Sequence, residues 1–252
     1  MKIFVAGATG VIGSRLVPLL VKAGHRVTGT TRSAGKASSV ERQGASAVVV
    51  DVFDAEALAS AVAAAGPDVV IHQLTDLPDV ADPAAMAESR ARNSRLRIVG
   101  TRNLMQAASA ARVKRVVAQS IAFAYAPGPL PHGEGDPIDV AGQARMSGEG
   151  VIGLEGAVTG TPGIDGIVLR YGRLVRTGHM ERERAATAGA ACRCGGARRL
   201  ACGRARRARH LQCRGRRWRG FDREGARRIG LRSRVQDFVL NGLLRKREPR
   251  SP

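Results

Sequence analysis

Residues 1–174 contain no cysteine; all four, Cys192, Cys194, Cys202 and Cys213, lie beyond them. A disulfide framework is excluded for the first two-thirds, the usual condition of cytosolic proteins, so the cytoplasm is the expected compartment. Apolar runs approaching the ~20 residues that cross a bilayer are missing, and no membrane partner is expected. The opening stretch MKIFVAGATGVIG is apolar only in short pieces broken by glycine, unlike a secretory signal. Acidic residues are scarce in one region only. Lys and Arg stand at 18 against 15 Asp and Glu in residues 1–174 (+3), but at 23 against 6 in residues 175–252 (+17). The net charge of +20 therefore belongs to the tail and says nothing about the first 174 residues.

Those residues alternate in period. KIFVAG reads as a buried strand, followed by a glycine turn and a helix from Val11 to Ala23. HRVTGTTR and SAVVVDV read as strands two and three. DAEALASAVAAAG reads as a helix capped by Asp54 and ended by Gly66. PDVVIHQ is the fourth strand, Pro83 to Ala111 a long helical region, and VKRVVAQS the fifth strand. After a Pro/Gly loop, a weaker helix over Gly148–Thr159 leads to a sixth strand, DGIVLRYG. Strands alternating with helices predict an α/β fold, a doubly wound parallel sheet of the Rossmann type, over residues 1–174.

GATGVIG places Gly7, Gly10 and Gly13 directly between a strand and a helix. Small residues belong there because the chain must turn sharply, bring main-chain N–H groups to a pyrophosphate and pack its helix close to the sheet. Gly7, Thr9, Gly10, Val11, Ile12 and Gly13 are thus expected to bind a dinucleotide. The end of strand two selects which one. It offers Thr31 and Arg32 where an NAD site offers a carboxylate, which favours a 2′-phosphate and hence NADP, with NAD the alternative if Arg32 only faces solvent.

Together GATGVIG, the TTR strand end, DVFD, VVIHQLT and NSRLRIVGTRNLMQAA resemble the NAD-dependent epimerase/dehydratase family, the extended and atypical short-chain dehydrogenases. The resemblance spans about residues 1–174. It implies that Asp51 and Val52 meet the adenine and that the loop from His72 to Thr75, with Gln73 and Leu74, passes along the cofactor. It also implies that Asn93 helps shape the active site. Family catalysis uses a Tyr-x-x-x-Lys pair, in which the lysine lowers the phenol's pKa, and a serine at the end of strand five. Taking Glu155 as the acid four residues after the lysine puts Ser147 and Val151 at the tyrosine and lysine positions, and neither does that chemistry. Ser120 stands near the serine position, with Ile121 a competing match, and Tyr125 is the remaining candidate proton donor. The expected protein is an NAD(P)-dependent oxidoreductase or epimerase-like enzyme acting on a small-molecule substrate. The alternative is an NADP-binding sensor without turnover.

His132, Glu134 and Asp136 in HGEGD invite a metal reading, but solvated turn residues explain them better, and no metal is expected. The cysteines of the tail lack paired C-x-x-C knuckles, so a zinc site is not expected there either. A basic arm would contact nucleic acid with steep salt dependence, but almost no aromatic side chains interleave its arginines, and non-specific adhesion is the expectation.

A change of reading frame accounts for the tail better. Reading one base further along, the codons of Met180 and Glu181 force Trp, and those of Val175 to His179 can supply YGPGT, restoring the YGPGTW that family members carry there. The same offset turns later segments into family-like strands and helices, and the codon of Trp218 then forces Gly. One base gained near codon 174–175 leaves residues 175–252 without a selected fold.

Overall fold

The computed structural model describes residues 1–77, 83–129, 131–172 and 212–213. Six parallel strands form the sheet: β1 (Lys2–Ala6), β2 (Arg26–Thr31), β3 (Ser46–Val49), β4 (Val69–His72), β5 (Arg115–Ile121) and β6 (Asp165–Tyr171). They lie in the order β3-β2-β1-β4-β5-β6, and Gln212–Cys213 (β7) pairs antiparallel with β6 at Leu169 and Arg170. The order reverses at β1, and the crevice above the carboxyl ends of β1 and β4 is where such sheets take ligands.

Alternate residues of each strand enter different cores because side chains in a strand point to opposite faces. Phe4, Val70, Val116 and Val168 pack with Leu58, Leu104 and Leu154 on one face. Ile3, Val5, Ile71, Val117 and Leu169 pack with Leu16, Val17 and Leu20 on the other. Both faces of the sheet are covered, which is why the central strands read as nearly continuous apolar runs.

The helices are α1 (Gly13–Lys22), α2 (Ala34–Glu41), α3 (Ala55–Ala65), α4 (Pro83–Arg95), α5 (Thr101–Ala110) and α6 (Arg145–Gly160). Asp54 caps α3 by accepting from the Ala57 N–H at 3.0 Å, and Gly66 ends it in the left-handed region at φ +51°. Three details differ from the sequence reading. α1 starts at Gly13 rather than Val11, leaving the first residues after the glycine turn outside the helix. α2 was not expected, because AGKASSVE buries only Val40 and carries no apolar period. α6 begins at Arg145, three residues before Gly148, through a short 3₁₀ turn over Gly142–Ala144. The long region from Pro83 is helical throughout, but a π-helical turn over Leu96–Gly100 joins α4 to α5. Gly100 sits there against Val52, whose Cγ1 would lie 2.9 Å from any Cβ at that position.

Among the described residues no helix is long and apolar enough to cross a membrane. The expectations for the tail (frame change, nucleic-acid contact, zinc) lie outside the described residues, apart from the β7 pairing.

Candidate functional site: a dinucleotide cleft

The glycine turn is fixed from both sides. The Gly7 N–H donates to Thr30 Oγ1 at 3.2 Å and the Ala8 N–H to the Thr30 carbonyl at 3.1 Å, tying the turn to β2. Gly7 lies at φ +87°, and a Cβ there would come within 2.8 Å of the Gln73 carbonyl oxygen at the end of β4. A Cβ at Gly13 would overlap the Gly7 carbonyl. These two glycines let β1, β4 and α1 approach each other. Gly10 is different: exposed, with the Gly7 oxygen 3.4 Å from a notional Cβ, so it leaves open space above the turn.

No side chain caps α1 and no acid lies in its first turn. Among the described residues, no acceptor meets the main-chain N–H groups of Val11, Ile12 or Gly13. Unpaired donors at a helix start, where the peptide dipoles add to a partial positive charge, suit a pyrophosphate. The residues present therefore fit a dinucleotide. Thr9 hydrogen-bonds Thr31 through their hydroxyls at 3.4 Å, and Thr31 Oγ1 accepts from the Ser33 N–H at 3.2 Å. Arg32 is exposed at the tip of β2, with no carboxylate side chain in the run Thr30–Ser33.

The residues expected at the adenine, Asp51 and Val52, follow β3. The Asp51 carboxylate accepts from the Phe53 N–H at 3.0 Å, leaving Asp51 exposed and Val52 buried. Asn103, on α5, donates to the Val52 carbonyl at 2.9 Å and holds this loop in place.

Further along the cleft, two side chains hold the loop after β4. The Leu74 N–H donates to His72 Nδ1 at 3.2 Å, so the ring carries its hydrogen on Nε2 and donates to Thr101 Oγ1 at 2.9 Å. Burial, helped by the Arg97 guanidinium, lowers the His72 pKa to about 4, so the ring is neutral. Asn93 accepts from the Asp76 N–H at 2.9 Å and donates to the Asp76 carbonyl at 2.6 Å, while the Ser89 hydroxyl donates to the same carbonyl. Gln73 is buried. Its Nε2 donates to the Tyr171 hydroxyl at 3.4 Å, and its Oε1 has no partner among the described residues.

The reaction end is built around a buried ion pair. Arg170 and Glu155 have side chains only 4% and 3% exposed, and meet through Nε–Oε1 at 2.8 Å and NH2–Oε2 at 2.7 Å. The carboxylate holds the Arg170 pKa above its ordinary value. Ser120 donates to Glu155 Oε1 at 2.8 Å, and Arg170 NH1 donates to the Tyr125 hydroxyl at 2.6 Å. The structure thus brings the two candidate catalytic residues together, through Glu155 and Arg170. Val151, expected from the sequence to stand at the family's lysine position, is sealed against Ile121 and Ala124 with Ile138 alongside, an apolar cluster where an ammonium would be expensive to bury.

In the HGEGD loop Asp136 is solvated as expected, its side chain 42% exposed, whereas the His132 ring is packed. His132 stacks on Tyr125, ring centroids 4.6 Å apart and 18° from parallel, and its Nδ1 lies 3.1 Å from Asp136 Oδ2. Arg170 NH1 also donates to the Glu134 carbonyl at 3.2 Å. Among the described residues no three His, Cys, Asp or Glu side chains gather to hold a metal. Sequence reading missed Asn103, Ser89 and Arg170. Arg170 carried the one available signal, a charge inside the otherwise apolar strand IVLRY.

An NAD(P)H-binding family model matches residues 7–145. The chain is 45% identical over 186 residues to a 3-diazoavenalumate denitrifying reductase from a Streptomyces species, in a match taking 71% of this chain and 58% of the relative. Among solved structures it is similar to the Bordetella bronchiseptica enzyme WbmG in complex with NAD and UDP, at 26% identity and a TM-score of 0.52, covering 67% of this chain and 51% of that one. It is likewise similar to a short-chain dehydrogenase/reductase superfamily protein from Agrobacterium tumefaciens with bound NAD, at 28% identity and a TM-score of 0.53, covering 67% and 48%. The chain spans about half the length of the proteins it matches. It belongs to the NAD(P)H-binding proteins of the NAD-dependent epimerase/dehydratase and short-chain dehydrogenase family.

Proposed function

We propose that this chain is the cofactor half of a cytoplasmic NADP(H)-dependent reductase acting on a small-molecule substrate. The observation that carries the reading is the first turn of α1, with unpaired main-chain donors beside Gly7, Gly10 and Gly13. Arg32 at the end of β2, with threonines and no acid beside it, favours the 2′-phosphate form. A Streptomyces relative named as a reductase supports reduction over epimerisation.

Bound NADPH supplies a hydride. Residues of this chain bind and orient it: the α1 turn its pyrophosphate, Asp51 and Val52 its adenine, and the Gln73–Leu74 loop its nicotinamide half. Titration followed by NADPH fluorescence tests the reading. Binding of NADPH in preference to NADH is expected. Arg32→Ala is expected to weaken NADPH by about tenfold, the scale of one charge-assisted hydrogen bond, and to leave NADH unchanged. Equal affinities for both nucleotides in both proteins would defeat the NADP assignment.

The substrate half follows β6 in family members, and a base gained near codon 174–175 explains why similarity takes 71% of this chain while reaching only 58% of the relative. Transcripts reading through that junction in frame, with the same tail in close relatives, would remove this explanation. Nucleic-acid contact by residues 175–252 is then non-specific, lost equally for all sequences as salt rises.

A further inference from the structure

From α4 through the π turn into α5, one row of side chains lies along the chain that leaves β4. Ser89, Asn93, Arg97 and Thr101 recur every four residues, and residues so spaced share a helix face. Three of the four hold that chain. Ser89 and Asn93 bind the Asp76 main chain, and Thr101 meets the His72 ring at 2.9 Å. Arg97 stands between them in the row, so it faces the stretch from Gln73 to Thr75 at the carboxyl end of the sheet. Its neighbours turn elsewhere: Ile98 packs on Gly153 of α6, and Gly100 on Val52.

Arg97 is the member of the row without a bond. Among the described residues its guanidinium makes no hydrogen bond and no ion pair. The side chain is half-buried, and burial lowers its pKa while the Glu155 carboxylate works against that. Its charge acts on groups at two strand ends: His72, which closes β4, and Glu155, which accepts the Ser120 hydroxyl of β5. The guanidinium therefore lies between the ends of β4 and β5. Among the described residues, the unpartnered polar atoms sealed from solvent are His25 Nε2, Gln43 Oε1 and Gln73 Oε1. The Arg97 nitrogens are not among them, so they border open space. A π turn inside a helix is itself a feature that recurs at functional sites.

A planar fork of donors, partly stripped of water and given no acceptor, lacks an anion. The pyrophosphate is not that anion, because α1 packs on the opposite face of the sheet from α5 and α6. Charge decides among the others. Glu155 is matched by Arg170, Asp76 by Arg92, and His72 is neutral, so Arg97 leaves a single positive charge beside this segment. That suits a carboxylate monoanion, whose two oxygens match the fork, better than a phosphate dianion.

We propose that Arg97 is a substrate-binding residue that holds a carboxylate at the β4–β5 end of the crevice. The substrate class is then an organic acid whose reducible centre lies elsewhere in the molecule. This rests on the NADP(H)-dependent reductase reading above. Arg97 transfers no proton; it anchors one end of the substrate while hydride reaches the other.

The test uses the full chain at constant ionic strength. NADPH binding is measured first; no binding would overturn the reductase reading and this substrate role with it, whereas normal binding isolates Arg97. The probes are 4-fluorobenzoate and its neutral isostere 4-fluorobenzamide, read by ¹⁹F NMR on protein saturated with NADP⁺. The acid is expected to bind at least about tenfold more tightly than the amide, the scale of one charge-assisted pair. Arg97→Gln should erase that preference and Arg97→Lys should keep part of it, with NADPH affinity unchanged in both. Arg97→Gln should melt no lower than the wild type, because a poorly solvated charge is gone. Phenylglyoxal needs no variant: it should modify Arg97, and the acid but not the amide should slow that step as occupancy rises, scored by peptide mass. Equal binding of acid and amide, a preference that survives Arg97→Gln, inorganic phosphate binding more tightly than the acid, or modification indifferent to the acid would each overturn the proposal.

Discussion

The two ends of the cleft are made of different material. At the phosphate end, α1 and β1 present main chain, and the residues that matter are those without side chains: Gly7, Gly10 and Gly13. At the reaction end, charged and polar side chains carry the structure, through Ser120, Glu155, Arg170, Tyr125 and His132. A backbone site tolerates drift in everything around it, provided the turn and its glycines persist. A side-chain site changes character with each substitution. In this chain the first end carries the glycine turn of a dinucleotide site, and the second holds a buried Glu155–Arg170 ion pair beside an apolar cluster around Val151.

If that contrast is right, the ends should fail differently. The largest expected effect is at Glu155. Replacing it with leucine strands Arg170 as an uncompensated buried charge, and the expected loss of stability is about 3–5 kcal/mol by chemical denaturation. A double change of Glu155→Leu with Arg170→Met should recover much of it; equal stability of the single and double variants would mean that the pair is not the keystone of that end.

Next comes His72, between the two ends. Below pH 6.5 the unfolded chain takes up a proton that the folded ring refuses until about pH 4. Stability is therefore full above 6.5 and falls as the pH drops through that window, by about 3 kcal/mol in all. His72→Gln should flatten that part of the pH–stability curve. An unchanged slope would show that the loss arises elsewhere.

At the phosphate end the expected effect is on binding alone. Gly10 has room for a side chain, so Gly10→Asp should fold with an unchanged melting temperature while its carboxylate opposes the pyrophosphate. NADPH affinity should drop at least about tenfold, or 1.4 kcal/mol, in calorimetry. Retained affinity would move the phosphates away from this turn. The smallest effect is expected at Asn103→Ala. Losing its hydrogen bond to the Val52 carbonyl should cost about 1 kcal/mol of stability, visible as a modest shift of the melting curve.

Much of this was legible before any coordinates. Strand alternation and the Asp54 and Gly66 caps are local signals, and each element they mark is present. α2 escaped because AGKASSVE buries a single residue and so carries no period. The site divides the same way. Gly7 and Gly13 announce a close backbone approach through residue type alone. The partnership of Arg170 with Glu155 joins residues 15 apart on different elements, and Ser120 reaches Glu155 from 35 residues away. Such pairings exist only once the sheet has brought β5, β6 and α6 together. His132 was read as solvated because Pro and Gly surround it, and stacking on Tyr125 has no sequence signature.

Asn93 and Asn103 sit on one unbroken rod, α4 running through its π turn into α5. One grips the segment after β4, the other the segment after β3. Ten residues at a rise of ~1.5 Å set roughly 15 Å between the grips. The rod is a ruler: it sets the distance between the segment after β4 and the segment after β3, and lengthening it by a turn would leave each grip intact while spoiling the measure between them.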